Sequence, residues 1–373
     1  MNRAYFIQLY PNQKQAELLD KHFGCARWVY NKMIEINQKK YHRTGKSLSG
    51  YDMQSYLPKL KKQYPWLAEV NSQSLQIVCH NLADAYGRFL KKQSGYPKFK
   101  RQNGQGSFSS INDSALLDKH IKLPKLKLIR YRGGDCPQGQ IKRFIVSKSA
   151  GKYYASVIIE TLEKEPPLDA PNKVLGIDLG IKDIIITSVG DIYSPSKLTK
   201  RYQVKLRAAQ KALSRCQKTS KRRAVARLNV AKIHRKIGDS RKDFNHKLSR
   251  ILVNEAENQS FAVENLNVKG MMANHKLAKS IADAGWYQFL TFLNYKAAAV
   301  GKPVLEVGRF FPSSKTCSAC GIVKESLKLS EREWVCGSCG ISHQRDINAA
   351  LNIALEAARN AVHGNDVIPS VLR

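Results

Sequence analysis

Residues Cys317 to Asn348 read CSACGIVKESLKLSEREWVCGSCGISHQRDIN, and two kinds of chemistry meet within that stretch. Cys317-x-x-Cys320 and Cys336-x-x-Cys339 are separated by fifteen residues, the spacing at which two short knuckles close around one tetrahedral Zn²⁺. Gly321 and Gly340 follow the second cysteine of each pair, where a sharp turn needs the positive φ that glycine adopts cheaply. Behind the second knuckle come His343, Gln344, Arg345 and Asp346, then INAALNIALEAARNAV, a helical run apolar around most of its circumference and therefore expected to be buried. A carboxylate in the first turn of such a helix needs a reason. Taken alone, Asp346 reads as a helix N-cap, accepting from free N–H groups and favoured by the dipole. A metal ligand is the other reading, and acids elsewhere in the chain bear on the choice.

Upstream, VLGIDLGIKDIIITSV reads as a buried strand carrying Asp178, a tight turn at Gly180 and a second apolar strand, followed by a third short segment, DIYSP. Residues 197–256 read as helical and carry 19 Lys and Arg against Asp239, Asp243 and Glu255. Tyr202, Leu206, Ala209, Leu213 and Cys216 step by four and three, a coiled-coil-like seam, with KTSKRR at the tip of a helical hairpin. That surplus of sixteen positive charges exceeds what solubility needs and suits a phosphate backbone. SFAVENL reads as a strand ending in Glu264, HKLAKSIADAGWYQFLTFLNYKAAAVG as one amphipathic helix, and KPVLEV as a further strand. The order from residue 173 is thus three strands, basic helices, strand, helix, strand, zinc insert, helix, which matches an RNase H-like domain. Three carboxylates, Asp178, Glu264 and Asp346, fall on its strand ends and last helix. Brought within about 4 Å they would repel by roughly 4 kcal/mol per pair at an effective dielectric near 20. A hard, oxygen-seeking cation such as Mg²⁺ would hold them together. Singly, Asp178 reads as a strand-end turn residue and Glu264 as a surface acid; together the three favour the metal.

The N-terminal half divides differently. RAYFIQLY, residues 3–10, reads as a strand, and a helix opens near Gln13 with an apolar stripe broken at Gly24. SLQIVCHNLADAYGRFLKKQ continues a small helical subdomain, whose basic run Arg88, Lys91, Lys92, Lys98, Lys100 and Arg101 suits phosphate but equally a solvated face. From about 107 to 165, GSFSSI, HIKLPKLKLIRYR, IKRFIVSKSAGKYY and ASVIIETL carry strand patterns. With residues 3–10 these are expected to close a β-barrel split by the helical insertion. EKEPPLDAPNK reads as a linker to a second domain near Lys173.

Composition frames these parts. Lys and Arg number 63 against 29 Asp and Glu, a formal charge of +34 over 373 residues, with a pI near 9.9, which calls for a polyanionic partner. No apolar run approaches a membrane span, and MNRAYFIQLYPNQ alternates rather than forming a signal peptide's core. Four of the eight cysteines form the zinc set, and Cys25, Cys79, Cys136 and Cys216 lack a disulfide-like pattern, as in a reducing cytosol.

GIDLGIKD around Asp178, VENLNVKGM around Glu264, SIADAGWYQF, and FPSSKTCSACG with WVCGSCGISHQRDINAALNI together resemble TnpB, the RuvC-like RNA-guided nuclease of insertion sequences, similar to type V CRISPR effectors. RAYFIQLYPNQKQ, FGCARWVYN and YPKFK extend the resemblance, which runs from about residue 3 to 355. It implies an α/β and α+β multidomain chain: a wedge-like β-barrel (1–10 and 105–168), a helical recognition subdomain (11–104), a RuvC-like nuclease domain (173–308 and 342–363), a zinc ribbon (309–341) and a tail (364–373). It implies catalytic Mg²⁺, with Mn²⁺ as a substitute, in a two-metal site on Asp178, Glu264 and Asp346, and a structural Zn²⁺ on the four cysteines. Arg345 and Asn348 would contact the scissile phosphate or lie just behind the ligands. The partners implied are a noncoding guide RNA from the transposon end and a double-stranded DNA target beside a short transposon-associated motif, bound by one protein copy in the cytoplasm, with no membrane. Protein would read the motif while base pairing reads the rest. Gln76 and Phe108 are the candidates for motif readout, against helix surface and barrel core as their plain readings. Lys98, Lys100, Arg101, Lys221, Arg222 and Arg223 are candidates for phosphate contact. All three acids are kept, and one site would cut both strands in turn. A non-cleaving RNA-guided DNA binder is the alternative; a transposase that joins DNA ends itself fits the acids but not the matched motifs.

Overall fold

The odd residues Tyr5, Ile7 and Leu9 of the first strand, β1 (Asn2–Tyr10), point into a core while their neighbours face outward, the period-two pattern of a half-buried strand. The computed structural model describes residues 2–362 apart from 103–105, 135, 163–165, 171, 195–196, 256, 258, 276 and 329, and the expected 364–373 tail lies outside them. The chain divides into two units, residues 1–164 and 165–373.

In the first unit, Asn12 and Gln15 form a capping box that starts α1 (Gln13–Thr44). The Gln15 side-chain amide also donates to the backbone carbonyl of Leu128, tying the helix to the sheet. Contrary to the expected break, α1 runs straight through Gly24. Flanking residues Phe23, Cys25 and Ala26 are buried, so packing outweighs the roughly 1 kcal/mol that glycine costs a helix. Then come α2 (Gly50–Ser55), α3 (Leu57–Gln63), a 3₁₀ turn (Pro65–Glu69) and α4 (Ser72–Leu90). Strands β2 (Ser107–Ser110), β3 (Ala115–Leu117), β4 (His120–Leu123), β5 (Lys127–Arg132), β6 (Gln140–Ser149) and β7 (Lys152–Glu160) complete an antiparallel sheet ordered β2-β6-β7-β1-β5-β4-β3. The helices are thus inserted between β1 and the rest of its sheet, as expected. Strands β2 and β3 are its edges, and no ladder joins them among the described residues.

The second unit contains β8 (Val174–Asp178), β9 (Ile185–Thr187), β10 (Ile192–Tyr193), α5 (Lys197–Ser214), α6 (Lys221–Asn254), β11 (Ser260–Glu264), α7 (Val268–Met271), α8 (Ala278–Ala284), α9 (Trp286–Ala298), β12 (Val304–Val307), β13 (Glu333–Val335), β14 (Ser342–Gln344) and α10 (Arg345–Val362). Its main sheet is ordered β10-β9-β8-β11-β12, with β8, β11 and β12 parallel. Parallel neighbours need crossover connections, and α5–α6 and α7–α9 supply them. The helices α5 and α6 pack as a hairpin, and the predicted seam residues Tyr202, Leu206, Ala209, Leu213 and Cys216 are more covered than most of their neighbours. The helix expected over 275–301 is two: Gly285 sits at φ +67° between α8 and α9, leaving Trp286 Nε1 to donate to the Gly180 carbonyl at 3.1 Å.

Strand parity decides what faces what. Leu175, Ile177, Phe261 and Val263 pack with Leu252, Ile281, Phe289 and Leu293 from the helices, whereas Ala262, Leu305 and Val307 pack with Ile353 and Ala357 of α10. Gly176 belongs to the α10 face: a Cβ there would lie 1.9 Å from the Ala350 carbonyl oxygen. Asp178 and Glu264 share the parity of Gly176 and Ala262, so both acids project from strand ends towards the face that α10 covers. No described helix is long and apolar enough to cross a membrane.

Candidate active site and metal centre

Ile177 pairs with Val263 in the parallel ladder, so the residues that follow, Asp178 and Glu264, stand level at the carboxyl ends of adjacent strands. Asp346 lies in the first turn of α10, which packs on β8 more than on any other strand. The three are electrically coupled. Burial, followed by the charges of Glu264 and Asp346, pushes the Asp178 carboxyl up to about 7, against smaller opposing effects of the Leu179 N–H and Arg345. The Asp346 carboxylate accepts from Arg332 Nη1 at 2.6 Å, and Glu264 accepts from the Ser313 hydroxyl. Among the described residues, only the four cysteines bring three or more ligating atoms within 4.8 Å of one another. The carboxylates therefore converge without closing to that range. An all-oxygen set in which burial and then repulsion push one carboxyl towards neutrality still fits a hard divalent cation, which offsets both.

The cap reading of Asp346 is not what the structure shows. Gln344 precedes α10, and its side-chain oxygen accepts from the Ile347 N–H at 2.7 Å. Gln344 is the cap, and the Asp346 carboxylate is left to pair with Arg332.

Two asparagines clamp the ribbon to the helix. Asn348 accepts from the Ser318 N–H at 3.0 Å and donates to the Thr316 carbonyl at 2.8 Å. One turn on, Asn352 donates to the carbonyls of Ser313 and Thr316, both at 2.7 Å. Both asparagines are buried. Asn352 thus holds Ser313, which in turn donates to Glu264. Arg345 donates to the Lys328 carbonyl at 3.3 Å, bracing the ribbon from the other side.

The cysteine cluster fits zinc. Cys317 Sγ lies 3.6 Å from Cys339 Sγ, and Cys320 Sγ lies 3.6 Å from Cys336 Sγ, close to the roughly 3.8 Å edge of a tetrahedron with 2.3 Å Zn–S bonds. The two knuckles repeat one another: Gly321 N–H donates to Cys317 O and Gly340 N–H to Cys336 O, with φ of +78° and +70° at the two glycines. N–H groups of Cys339 and Ser338 pull the Cys336 thiol below its ordinary value, towards the thiolate that binds metal. Behind the cluster, β13 and β14 pair Trp334 with His343.

The nucleic-acid candidates separate. Lys98, Arg101, Lys221 and Arg222 are exposed. Lys100 is exposed as a residue, with its ammonium 4.1 Å over the Tyr30 ring, where partial desolvation lowers its pKa. Arg223 donates to the carbonyls of Leu213 and Cys216 at 3.1 and 3.0 Å, closing the α5–α6 turn. Phe108 is a core residue: it is 4 % exposed, with His22 and Phe23 rings 4.7 and 5.6 Å away, so its plain reading holds. Gln76 lines an open cavity of about 440 Å³ with Tyr51, Gln54, Ser55, Lys61 and Ser72. Ser313, Arg332, His343, Gln344 and Asn352 were not among the sequence candidates. Only Asn352 left a signal, a second polar residue four positions after Asn348 on an apolar helix.

Three family models match: a "Helix-turn-helix domain" of the IS605 OrfB group over residues 1–46, a "Probable transposase" of that group over 156–275, and a "Cas12f1-like, TNB domain" over 286–353. Residues of the first form a strand and a single long helix. The chain is 34% identical over 378 residues to a Streptomyces pristinaespiralis protein named "Putative RNA-guided DNA endonuclease", covering 99% of this chain and 92% of the relative. It is 30% identical over 381 residues to "Putative RNA-guided DNA endonuclease InsQ" of Escherichia coli (strain K12), covering 96% and 93%. The solved structure of a Cas12f1-sgRNA-target DNA complex has a chain with the same fold, at TM-score 0.58 and 15% identity, over 92% of this chain and 83% of that one. With two relatives matched over nearly their whole length, the chain belongs to the TnpB family of IS605-type insertion-sequence proteins.

Proposed function

We propose that this chain is an RNA-guided DNA endonuclease that cuts double-stranded DNA beside a short target-adjacent motif, using Mg²⁺ held by Asp178, Glu264 and Asp346. The observation that carries the proposal is the convergence of these acids at the carboxyl ends of β8 and β11 and the first turn of α10, where burial and the two neighbouring acids raise Asp178 to about 7. The names of the relatives support the reaction class, and the formal charge of +34 suits two polyanionic partners. In this reading the β10-β9-β8-β11-β12 sheet with α10 is the RuvC-like, RNase H-type nuclease domain. The first unit is the barrel and recognition part, with the Gln76 cavity reading the motif. One copy acts per guide RNA.

When bound, a pair of divalent cations supplies charge stabilisation for the attacking and leaving oxygens of the phosphodiester. The rest falls to the chain. Asp178 and Glu264 present oxygens from rigid strand ends, Asp346 presents its own from a helix clamped by Asn348 and Asn352, and Ser313 orients Glu264. The exposed cations Lys98, Arg101, Lys221 and Arg222 hold phosphates, fixing register rather than sequence. The test is cleavage of a plasmid library in Mg²⁺ by protein purified with its RNA. The library carries the guide-matched target beside a randomised motif. Linear product enriched for one motif is expected. Target binding with every plasmid intact would leave a guided binder instead.

A further inference from the structure

The side chain of His343 is buried, at 7 % exposure, and its Nε2 lies 3.0 Å from Cys317 Sγ. The four sulfurs lie mutually within 4.8 Å as a group that does not include His343, so the ring flanks the tetrahedron instead of occupying a corner. Its orientation is fixed. His343 is the cross-strand partner of Trp334, and their rings lie 4.8 Å apart at 40°. The other three sulfurs face backbone N–H donors: Ile322 towards Cys320, Cys339 and Ser338 towards Cys336, and Ile341 towards Cys339.

We infer that His343 is an outer-shell positioning residue of the zinc centre, donating its Nε2–H to the Cys317 thiolate. Four thiolates on one Zn²⁺ leave two net negative charges in a small volume, and N–H donors spread that charge and fix each sulfur's lone pairs. Backbone N–H groups face the other three sulfurs, and an imidazole from β14 reaches Cys317. This placement also matters for the site next door, because His343 is three residues before Asp346. The inference rests on the four cysteines holding Zn²⁺ and is independent of nuclease activity; the zinc content of the purified wild-type chain checks that premise separately.

The experiment compares wild type with His343→Phe, which keeps a ring against Trp334 but has no donor, and His343→Gln, which keeps a side-chain N–H. Zinc transfer to a chromogenic chelator and the thiolate-to-cobalt charge-transfer band of the Co²⁺-substituted chain are measured for each. Outer-shell partners typically contribute 10–100-fold in metal affinity. His343→Phe is therefore expected to weaken zinc retention by about that factor and move the cobalt band to lower energy, with His343→Gln close to wild type. Equal behaviour of His343→Phe and wild type overturns the inference, as does equal loss in both variants, which would assign the effect to packing. Should His343→Phe fail to fold, the wild-type chain loaded with ¹¹³Cd and ¹⁵N-histidine still decides: a ¹¹³Cd coupling to the His343 Nε2–H supports the bond, and its absence overturns it.

Discussion

Asp178 titrates unlike a surface aspartate because burial and two neighbouring acids raise its carboxyl from the ordinary 3.8 to about 7. Between those values the native chain holds a proton that the unfolded chain has released, so stability falls as pH rises through the window and the loss is complete above it. Three units correspond to roughly 4 kcal/mol at 1.36 kcal/mol per unit. In Mg²⁺-free buffer, Asp178→Asn is therefore expected to be more stable than wild type at pH 8 by an amount of that order. The gap should shrink towards pH 4, as urea unfolding at several pH values would read. At this scale the three acids were legible and their hydrogen-bond partners were not. Asp178 and Glu264 stand out because an acid ends an otherwise apolar strand. Arg332 and Ser313 reach their acids across 14 and 49 residues from irregular loops, where no periodicity points at a partner. Gln344 was hidden for another reason, since its neighbour Asp346 is the better capping type and geometry alone assigns the cap.

Among the elements, α10 and β8 make the site, and their close approach rests on one glycine. At Gly176 a Cβ would meet the Ala350 carbonyl oxygen at 1.9 Å and the Ala354 amide nitrogen at 2.9 Å. Both atoms are backbone, so relief requires the helix to move. Gly176→Ala is expected to cost about 3 kcal/mol or more, the upper range for overpacking, and to lower the melting temperature markedly. Removing the clamp acts more gently. Asn352→Ala leaves the buried Ser313 carbonyl without its side-chain donor, while the Thr316 carbonyl loses one of two and keeps Asn348. A loss of about 1–3 kcal/mol in chemical denaturation is expected. The strands and helices of the second unit were readable from alternation and stripes. The break at Gly285 was not, because the apolar stripe continues through it and the φ of +67° answers to Trp286 reaching Gly180 from outside the helix. Likewise β13 and β14 are three residues each, too short for any pattern.

At the scale of the whole chain, charge and division into units were legible: the Pro-rich, acidic stretch EKEPPLDAPNK spans the boundary at Lys164/Glu165. Which cations face phosphate was harder to read, since composition cannot distinguish Lys221 and Arg222, exposed at the start of α6, from Arg223, used to close the turn. The double change Lys221→Ala/Arg222→Ala is expected to reduce the salt-dependence slope of nucleic-acid binding by about 1.5 units if both contact phosphate. Filter binding from 50 to 500 mM salt (about one decade) would measure it. The central claim is that the three acids form one phosphodiester-cleaving centre, and single-turnover cleavage of a guide-matched duplex in Mg²⁺ by wild type and Asp178→Ala tests it most directly, with target binding measured alongside. At least a thousand-fold slower scission by Asp178→Ala (about 4 kcal/mol) is expected with binding unchanged; scission at the wild-type rate would contradict a single centre built on Asp178.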